Sequence, residues 1–576
     1  MINKLLILLV FLFFANNVLA YSPQTPNNKF GIHLAQPHLE DLEKANELVN
    51  SNGGDWGYVT LVIQENDRDK GKWQEIFDKM RELHLIPIIR LATIAQGNQW
   101  RRPQKEDAES WVEFLNSLHW VIKDRFIILF NEPNHGVEWG GRVDAKNYAD
   151  VALEFAKRLK EKNSDFFVML AGLDASAPNS LPLFQDEVIF LNQFFNSVTI
   201  DQPASPAGGF NNLFSGFASH SYPNPAFAGS PYDIGRGTVR TYQWELQVLQ
   251  SLGVSKDLPV FITETGWDRM ILGEDLTASN LKTSFENIWL PDERVVAITP
   301  FVLDYQGEPF LNFSWKLPSA RASQGQEFYL QYYIVKSIAK TRGKPEQIEK
   351  GEAIFDLPKE LVAHSSFHFT VKLKNLGQAI WDKNDNYQLM IINDQQKLFD
   401  YFFSDIKNVK PFEEAEIDFY LKTNGLLGKK KVQIVLKKEE KTIVEANPWE
   451  FELFPLPSLD FSTSLLPKLN SNGGDFELQI FNERDELVFK KNHIEVKKGK
   501  GIVEEIQNVA LGRKYRVVIL KPFYLPRQNF VIFRRGKNSV LFEKMLPLDF
   551  DSDGKLEFQD LFSLIKNPQL FTLLLP

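Results

Sequence analysis

The 576-residue chain contains no cysteine. Disulfides and thiol chemistry are therefore excluded, and stability has to come from core size and from any bound metal. Positive charge is also scarce. With 65 Lys and Arg against 74 Asp and Glu, the formal net charge is −9. No nucleic-acid or anionic-membrane partner is expected, because both need a concentrated positive field. The basic runs at Lys429–Lys431 and Lys437–Lys441 flank the apolar stretch Val432–Leu436 and read as the solvated ends of a hairpin. The patterns GxxxxGK[ST], HExxH and GxSxG are absent. Nucleotide hydrolysis, zinc proteolysis and serine esterase chemistry have no anchor, and catalysis is expected to need no cofactor.

Apolar residues are plentiful. Hydrophobic residues make up 43% and aromatics 13%, with 47 Phe and 12 Trp, which excludes a disordered chain and suits surfaces that stack on flat rings. Lys4, the apolar stretch Leu5–Ala15 and the small-residue site Val18-Leu19-Ala20 form a secretory signal over residues 1–20, so a secreted or extracellular protein is expected. An uncleaved anchor is the alternative, because Ile2–Ala20 nearly spans a bilayer, although Asn16 and Asn17 interrupt it.

Residues 21–345 alternate short β-branched or aromatic runs with helix-period segments. Eight strands are expected: Phe30–Leu34, Gly57–Ile63, Ile86–Leu91, Phe126–Phe130, Phe167–Ala171, Gly216–His220, Val260–Thr263 and Val295–Phe301. Eight βα units over about 320 residues fit a barrel better than an open sheet. Residues 346–456 lose the helical period and show strands with turn signals about every ten residues, as in an immunoglobulin-like sandwich. Pro455 and Pro457 mark a linker to a second β-rich domain, 457–546, and residues 547–576 change character again. The fold class expected is α/β: a (β/α)8 TIM barrel, two β-sandwich-like domains and a short C-terminal calcium-loop segment.

Two glutamates end expected barrel strands. Strand four closes with Phe130-Asn131-Glu132-Pro133 and strand seven with Thr263-Glu264-Thr265-Gly266-Trp267. Strands four and seven face each other across a barrel mouth, so both carboxyls can enter one cleft. Cleaving a glycosidic bond needs such a pair, one group to protonate the leaving oxygen and one to act at the anomeric carbon. Either glutamate alone reads as an ordinary strand-end charge. Both motifs on one barrel favour the functional reading.

The paired motifs resemble glycoside hydrolase clan A, the barrel group that includes cellulase-like families five and thirty-nine and the Glu-Thr-Gly-bearing families seventeen and fifty-three. The resemblance covers the first 340 or so residues. It implies a retaining mechanism with Glu132 as acid/base and Glu264 as nucleophile, and with Asn131 bonded to the sugar hydroxyl beside the scissile bond. At the end of strand six, His220 and Tyr222 are both carried as groups that orient the nucleophile. Arg90, Trp267 and Trp315 are further substrate-binding candidates, with Trp139 in the segment Gly136–Gly141 as a subsite candidate. Each could equally be a packing residue.

The expected activity is hydrolysis of β-O-glycosidic bonds in a polysaccharide or oligosaccharide by double displacement. A non-catalytic carbohydrate-binding or adhesion protein and a transglycosylase are the alternatives, and a monomer is expected. Trp381, after the Asn375-Leu376-Gly377 turn, reads as a sandwich-core residue, with an exposed carbohydrate-binding Trp as the alternative. Asp549, Asp551, Asp553 and Asp560 stand at positions one, three, five and twelve of an EF-hand-like loop, with Gly554 at six. Lys555 would give its carbonyl and Leu556 would pack inward, so structural Ca2+ is expected. Asp560 at position twelve and the preceding Leu546-Pro547-Leu548 resemble a dockerin repeat. That leaves a cohesin-like or cell-surface partner and a structural calcium clip as alternatives.

Overall fold

The computed structural model describes residues 26–198, 209–318, 326–392, 399–467 and 472–575. The signal segment expected at 1–20 lies outside them. Among the described residues no helix is long and apolar enough to cross a membrane. The chain divides into two compact units, Met1–Ile348 and Glu349–Pro576.

The first unit is an alternation of strands and helices. Its strands are β1 Gly31–Leu34, β2 Gly57–Gln64, β3 Leu85–Ala92, β4 Arg125–Leu129, β5 Phe166–Leu170, β6 Phe217–His220, β7 Val260–Glu264 and β8 Val295–Ile298. The eight expected strands are thus found, with the last ending at Ile298 instead of Phe301. Each is followed by a helix: α1 Leu39–Val49, α2 Lys70–Glu82, α3 Asp107–Ser117, α4 Ala145–Lys162, α5 Glu187–Asn196, α6 Thr241–Ser251, α7 Glu274–Ser284 and α8 Leu330–Ser337. The helices form where an apolar stripe can be buried. On α4, Tyr148, Ala152, Phe155, Ala156 and Leu159 recur at three-to-four spacing and are all buried, while Asp144 caps the first turn by accepting from Asn147 N.

All pairings among these eight strands are parallel, and a small antiparallel hairpin, Ala95–Gln96 with Gln99–Trp100, lies outside them. Strands β1 to β5 form one sheet and β6 to β8 another. Parallel bridges Met169↔Gly216 and Phe30↔Ile298 join the two sheets at both edges, so the pairings run from β1 to β8 and back to β1. The strands are buried on both faces, which is why they read as continuous apolar runs. Phe126, Phe167 and Phe261 meet inside the ring with centroids 5.0–5.4 Å apart, and Thr60 Oγ1 lies 2.8 Å from Thr299 Oγ1.

Among the described residues the second unit contains four antiparallel or mixed sheets. Residues 351–454 form two, built on Ser366–Asn375 and Gly428–Lys438, and residues 458–541 form two more, built on Ser458–Ser462 and Gly473–Phe481. The Lys-rich segment is a hairpin, Gly428–Lys438 pairing with Lys441–Glu445. One apolar cluster runs from Leu361 to Met545 through both sheet pairs. The Pro455-Leu456-Pro457 stretch is no free linker: Leu456 packs on that core and Pro457 O accepts from Ile506 N. Trp381 is fully buried in the cluster, which overturns its alternative as an exposed sugar-binding face.

Gly31 sits where the ring leaves no room. A Cβ there would lie 2.5 Å from Thr299 Cγ2 and 2.9 Å from both Ile298 O and Tyr58 O. Gly31→Ala should destabilise the first unit by about 1–3 kcal/mol, read by calorimetry as a lower unfolding temperature for one of the transitions.

Candidate active site

The C-terminal ends of the parallel strands surround a cleft of about 450 Å³. Glu132 and Glu264 both line it, together with Arg90, Asn131 and Tyr222. Glu264 ends β7, where the pairing with β6 slips: Ser219 opposes Ile262, but His220 opposes Glu264. The bulge turns the Glu264 carboxyl inward. After β4 the backbone is strained, with positive φ at Phe130 (74°) and Glu132 (30°). Neighbours hold it there: Tyr148 Oη donates to Leu129 O, and Glu132 N donates to Gly172 O.

One oxygen of each carboxyl and a His220 ring nitrogen all lie within 4.8 Å of one another. His220 Nδ1 is 2.8 Å from Glu132 Oε1 and 3.8 Å from Glu264 Oε2. Tyr222 Oη donates to Glu264 Oε2 at 3.1 Å. Arg90 Nη1 contacts Glu264 Oε1 and Asn131 Oδ1, each at 2.5 Å. Burial alone would raise the Glu264 carboxyl, but the charges on His220 and Arg90 and the Tyr222 hydroxyl outweigh it and hold the group well below the usual carboxylate range. Burial disfavours the His220 cation, yet the two carboxylates beside it raise its pKa. His33, buried at 3.9 Å from Glu264 Oε1, is pushed down to about 3 by burial and by Arg90, so it is neutral.

The His220 ring needs Gly172. A Cβ at that position would come within 2.3 Å of His220 Cδ2.

Several cleft residues carried no signal in the sequence. His135 stands between Asp174, 2.8 Å from its Nε2, and Glu132 Oε2, 3.8 Å from its Nδ1. Burial lowers the His135 imidazole, and Asp174 and Glu132 more than restore it. Glu138 faces the cleft and hydrogen-bonds Asn131; burial, then the charge on Glu132, pushes it up to about 7. The segment Gly136–Gly141 does reach the cleft, through Glu138 and not through Trp139. Trp139 is buried with its Nε1 donating to Asn147 Oδ1.

Trp267 and Trp315 are corrections of the same kind. Both are 2% exposed and neither lines the cleft. Trp267 Nε1 donates to Gly229 O behind the wall, and Trp315 belongs to the main core of the unit. The aromatic wall is made instead by Phe227, Phe301, Phe310 and Phe313, with ring centroids 5.1–6.3 Å apart in edge-to-face contacts, and by Trp100. Phe227 and Phe310 keep more than a third of their surface exposed, enough to meet a ring laid on them.

In the C-terminal loop, oxygens of Asp549, Asp551 and Asp553 lie within 4.8 Å of one another. Asp560 does not join them. Its carboxyl accepts from the backbone N of Phe550 and Glu557, and so caps the following helix. The Lys555 amide donates to Asp553 Oδ1. Leu556 is 60% exposed, against the inward packing expected, because the helix beside it turns Phe558, Leu561, Phe562 and Ile565 outward as well.

No family model matches the chain, and no curated protein does. Solved structures similar to it include a family 39 glycoside hydrolase from the gut symbiont Bacteroides cellulosilyticus WH2, at 12% identity over 69% of this chain and 81% of that one, with a TM-score of 0.37. Another is an endo-beta-1,4-glucanase from Xanthomonas axonopodis pv. citri, at 13% identity over 54% and 99%, TM-score 0.37. A third is a family 51 alpha-L-arabinofuranosidase from Bifidobacterium longum, at 10% identity over 84% and 88%, TM-score 0.36.

Removing the Arg90 charge tests the electrostatics without any substrate. In Arg90→Met the Glu264 carboxyl should titrate about one to three pH units higher than in the wild type, followed by carbon NMR of glutamate-labelled protein.

Proposed function

We propose that the first unit is a (β/α)8 barrel and that it hydrolyses β-glycosidic bonds with retention of configuration. The observation that carries this reading is the carboxyl separation. A Glu132 oxygen and a Glu264 oxygen lie within 4.8 Å, close to the spacing of about 5–5.5 Å that suits direct attack and too short for the intervening water an inverting enzyme needs.

The environments divide the roles. Glu264, held as an anion by Arg90, Tyr222 and His220, attacks the anomeric carbon and forms a glycosyl ester. Glu132, in contact with two imidazoles, gives its proton to the departing oxygen. In the second half Glu132 takes a proton from water, which attacks the same carbon and frees Glu264. His220 keeps both carboxyls in register, Asn131 is placed for the hydroxyl beside the scissile bond, and the Phe wall with Trp100 packs on sugar rings. A sugar acceptor in place of water would make the same intermediate a transglycosylation step.

Two subsidiary readings accompany this one. The segment 1–20 directs export. Asp549, Asp551 and Asp553 hold a hard cation of the Ca2+ kind: all donors are oxygens, Gly554 takes φ 84° at the turn, and Asp549 Oδ1 is buried with no hydrogen-bond partner. Asp560 is left out of this ligand set.

Incubation with β-glucans, mannans, galactans and xylans, followed by NMR of the released sugar, tests the main reading. One glycan should be cut with the β-anomer appearing first. Glu132→Ala should lower kcat by about 10²–10⁴, and Glu264→Ala should be inactive. First appearance of the α-anomer would mean inversion and end the double-displacement assignment. For the loop, Ca2+ at about a hundred times its Kd should stabilise the second unit by about 2.7 kcal/mol, and calorimetry should show no such gain for Asp549→Asn.

A further inference from the structure

Behind the cleft, on the opposite face of β6, two glutamates are sealed in the protein. Glu187 at the start of α5 and Glu245 on α6 are both 0% exposed. Their carboxyls face each other closely enough for each to act on the charge of the other. No N–H or O–H of another described residue reaches either oxygen of Glu187 or Oε1 of Glu245. Glu245 Oε2 accepts from Ser219 Oγ at 2.5 Å.

Ser219 leads directly to the catalytic strands. Its Oγ lies 2.9 Å from Ser221 Oγ, which accepts from Tyr242 N. The Ser221 backbone is tied to the end of β7: Ser221 N donates to Glu264 O, and Thr265 Oγ1 donates to Ser221 O. Between the two serines, His220 points the other way and meets Glu132 and Glu264. Side chains alternate across a strand, so the segment 219–222 is gripped from behind by the carboxyl pair and presents His220 and Tyr222 in front.

We propose that Glu187 and Glu245 share one proton and that the resulting O–H···O⁻ pair is the positioning device that fixes the Ser219–Tyr222 segment against the two catalytic carboxyls. Two buried carboxylates in contact cannot both be charged, and a single proton between them gives each oxygen pair a donor. The cations facing them are few. Arg236 faces Glu187 but also pairs with Asp186 at 2.7 Å, Asp174 adds a negative charge on the Glu187 side, and the positive charge acting on Glu245 is that of His220. Burial accordingly raises both groups above the carboxylate range; repulsion from Glu245 raises Glu187 further, while the contacts of Glu245 with Glu187 and Ser219 and the charge on His220 offset only part of its rise.

The linkage has a definite sign. The folded state keeps a proton that the unfolded chain releases, so the contribution is complete below the ordinary glutamate pKa and is lost as pH rises through the raised one. Above that point the pair repels itself, Ser219 loses its place, and His220 and Tyr222 move with it.

The catalytic arm of the test rests on the glycosidase reading; the unfolding arm does not. Glu187→Gln donates an amide hydrogen to Glu245 at every pH and so imitates the shared-proton state. In the full-length wild type, unfolding temperature and kcat should fall together as pH rises past neutrality. In Glu187→Gln both falls should move up by at least about one pH unit, with kcat at pH 5.5 within about twofold of wild type and KM unchanged. An unshifted unfolding profile overturns the proposal, as does a loss of kcat beyond tenfold at acid pH in folded protein. If no glycan is cut, the unfolding profile alone decides, and a shift upholds the pair while the glycosidase reading falls. Infrared spectroscopy of the wild type needs no variant: a protonated-carboxyl carbonyl band should persist at pH 6, and its absence would sink the idea.

Discussion

The cleft is organised by one electrostatic requirement: a buried carboxyl, Glu264, has to be held as an anion with a second carboxyl oxygen less than 5 Å away. Arg90 and Tyr222 meet it from the Glu264 side, and His220 sits between the pair where it can face both. Arg90 comes from strand three, His220 and Tyr222 from the end of strand six, and the two carboxyls from the ends of strands four and seven. Only a scaffold that brings strands three, four, six and seven to one rim can assemble them, and the parallel pairings around the ring do so.

Much of that scaffold was legible in the sequence because it is periodic. Strands buried on both faces leave continuous apolar runs, the helices between them leave a stripe at three-to-four spacing, and strand ends mark where chemistry can sit. Glu132, Glu264, Arg90, His220 and Tyr222 follow from that logic. Trp267 and Trp315 did not, since residue type says that an indole stacks well but not which side of a wall it faces. Glu138, His135 and the Phe227–Phe313 wall lie on loops, where neither period nor position identifies a neighbour. The pairing of Glu187 with Glu245, 58 positions apart, depends on how α5 and α6 pack behind β6 and leaves no local trace.

The core of the second unit is another feature that no local pattern reports. Turn spacing counts strands correctly, but it does not show whether two sheet pairs have separate cores. Here Leu361 to Met545 form one apolar cluster, and Leu456, between the prolines at 455 and 457, packs against it. In a chain without cysteine, sharing a core lets each small sandwich bury more surface than it could alone.

The strained backbone around Asn131 has a consequence for how the cleft comes into being. Positive φ at Phe130 and Glu132 is tolerable only while Tyr148 and Gly172 hold the strand end from two sides, and both lie beyond β4 in the chain. A chain ending after β4 would lack both holds and would relax to ordinary extended geometry, aiming Glu132 elsewhere. The direction of the Glu132 carboxyl is therefore not set by its own strand alone; it depends on the following helix, which supplies Tyr148, and on the segment after the next strand, which supplies Gly172.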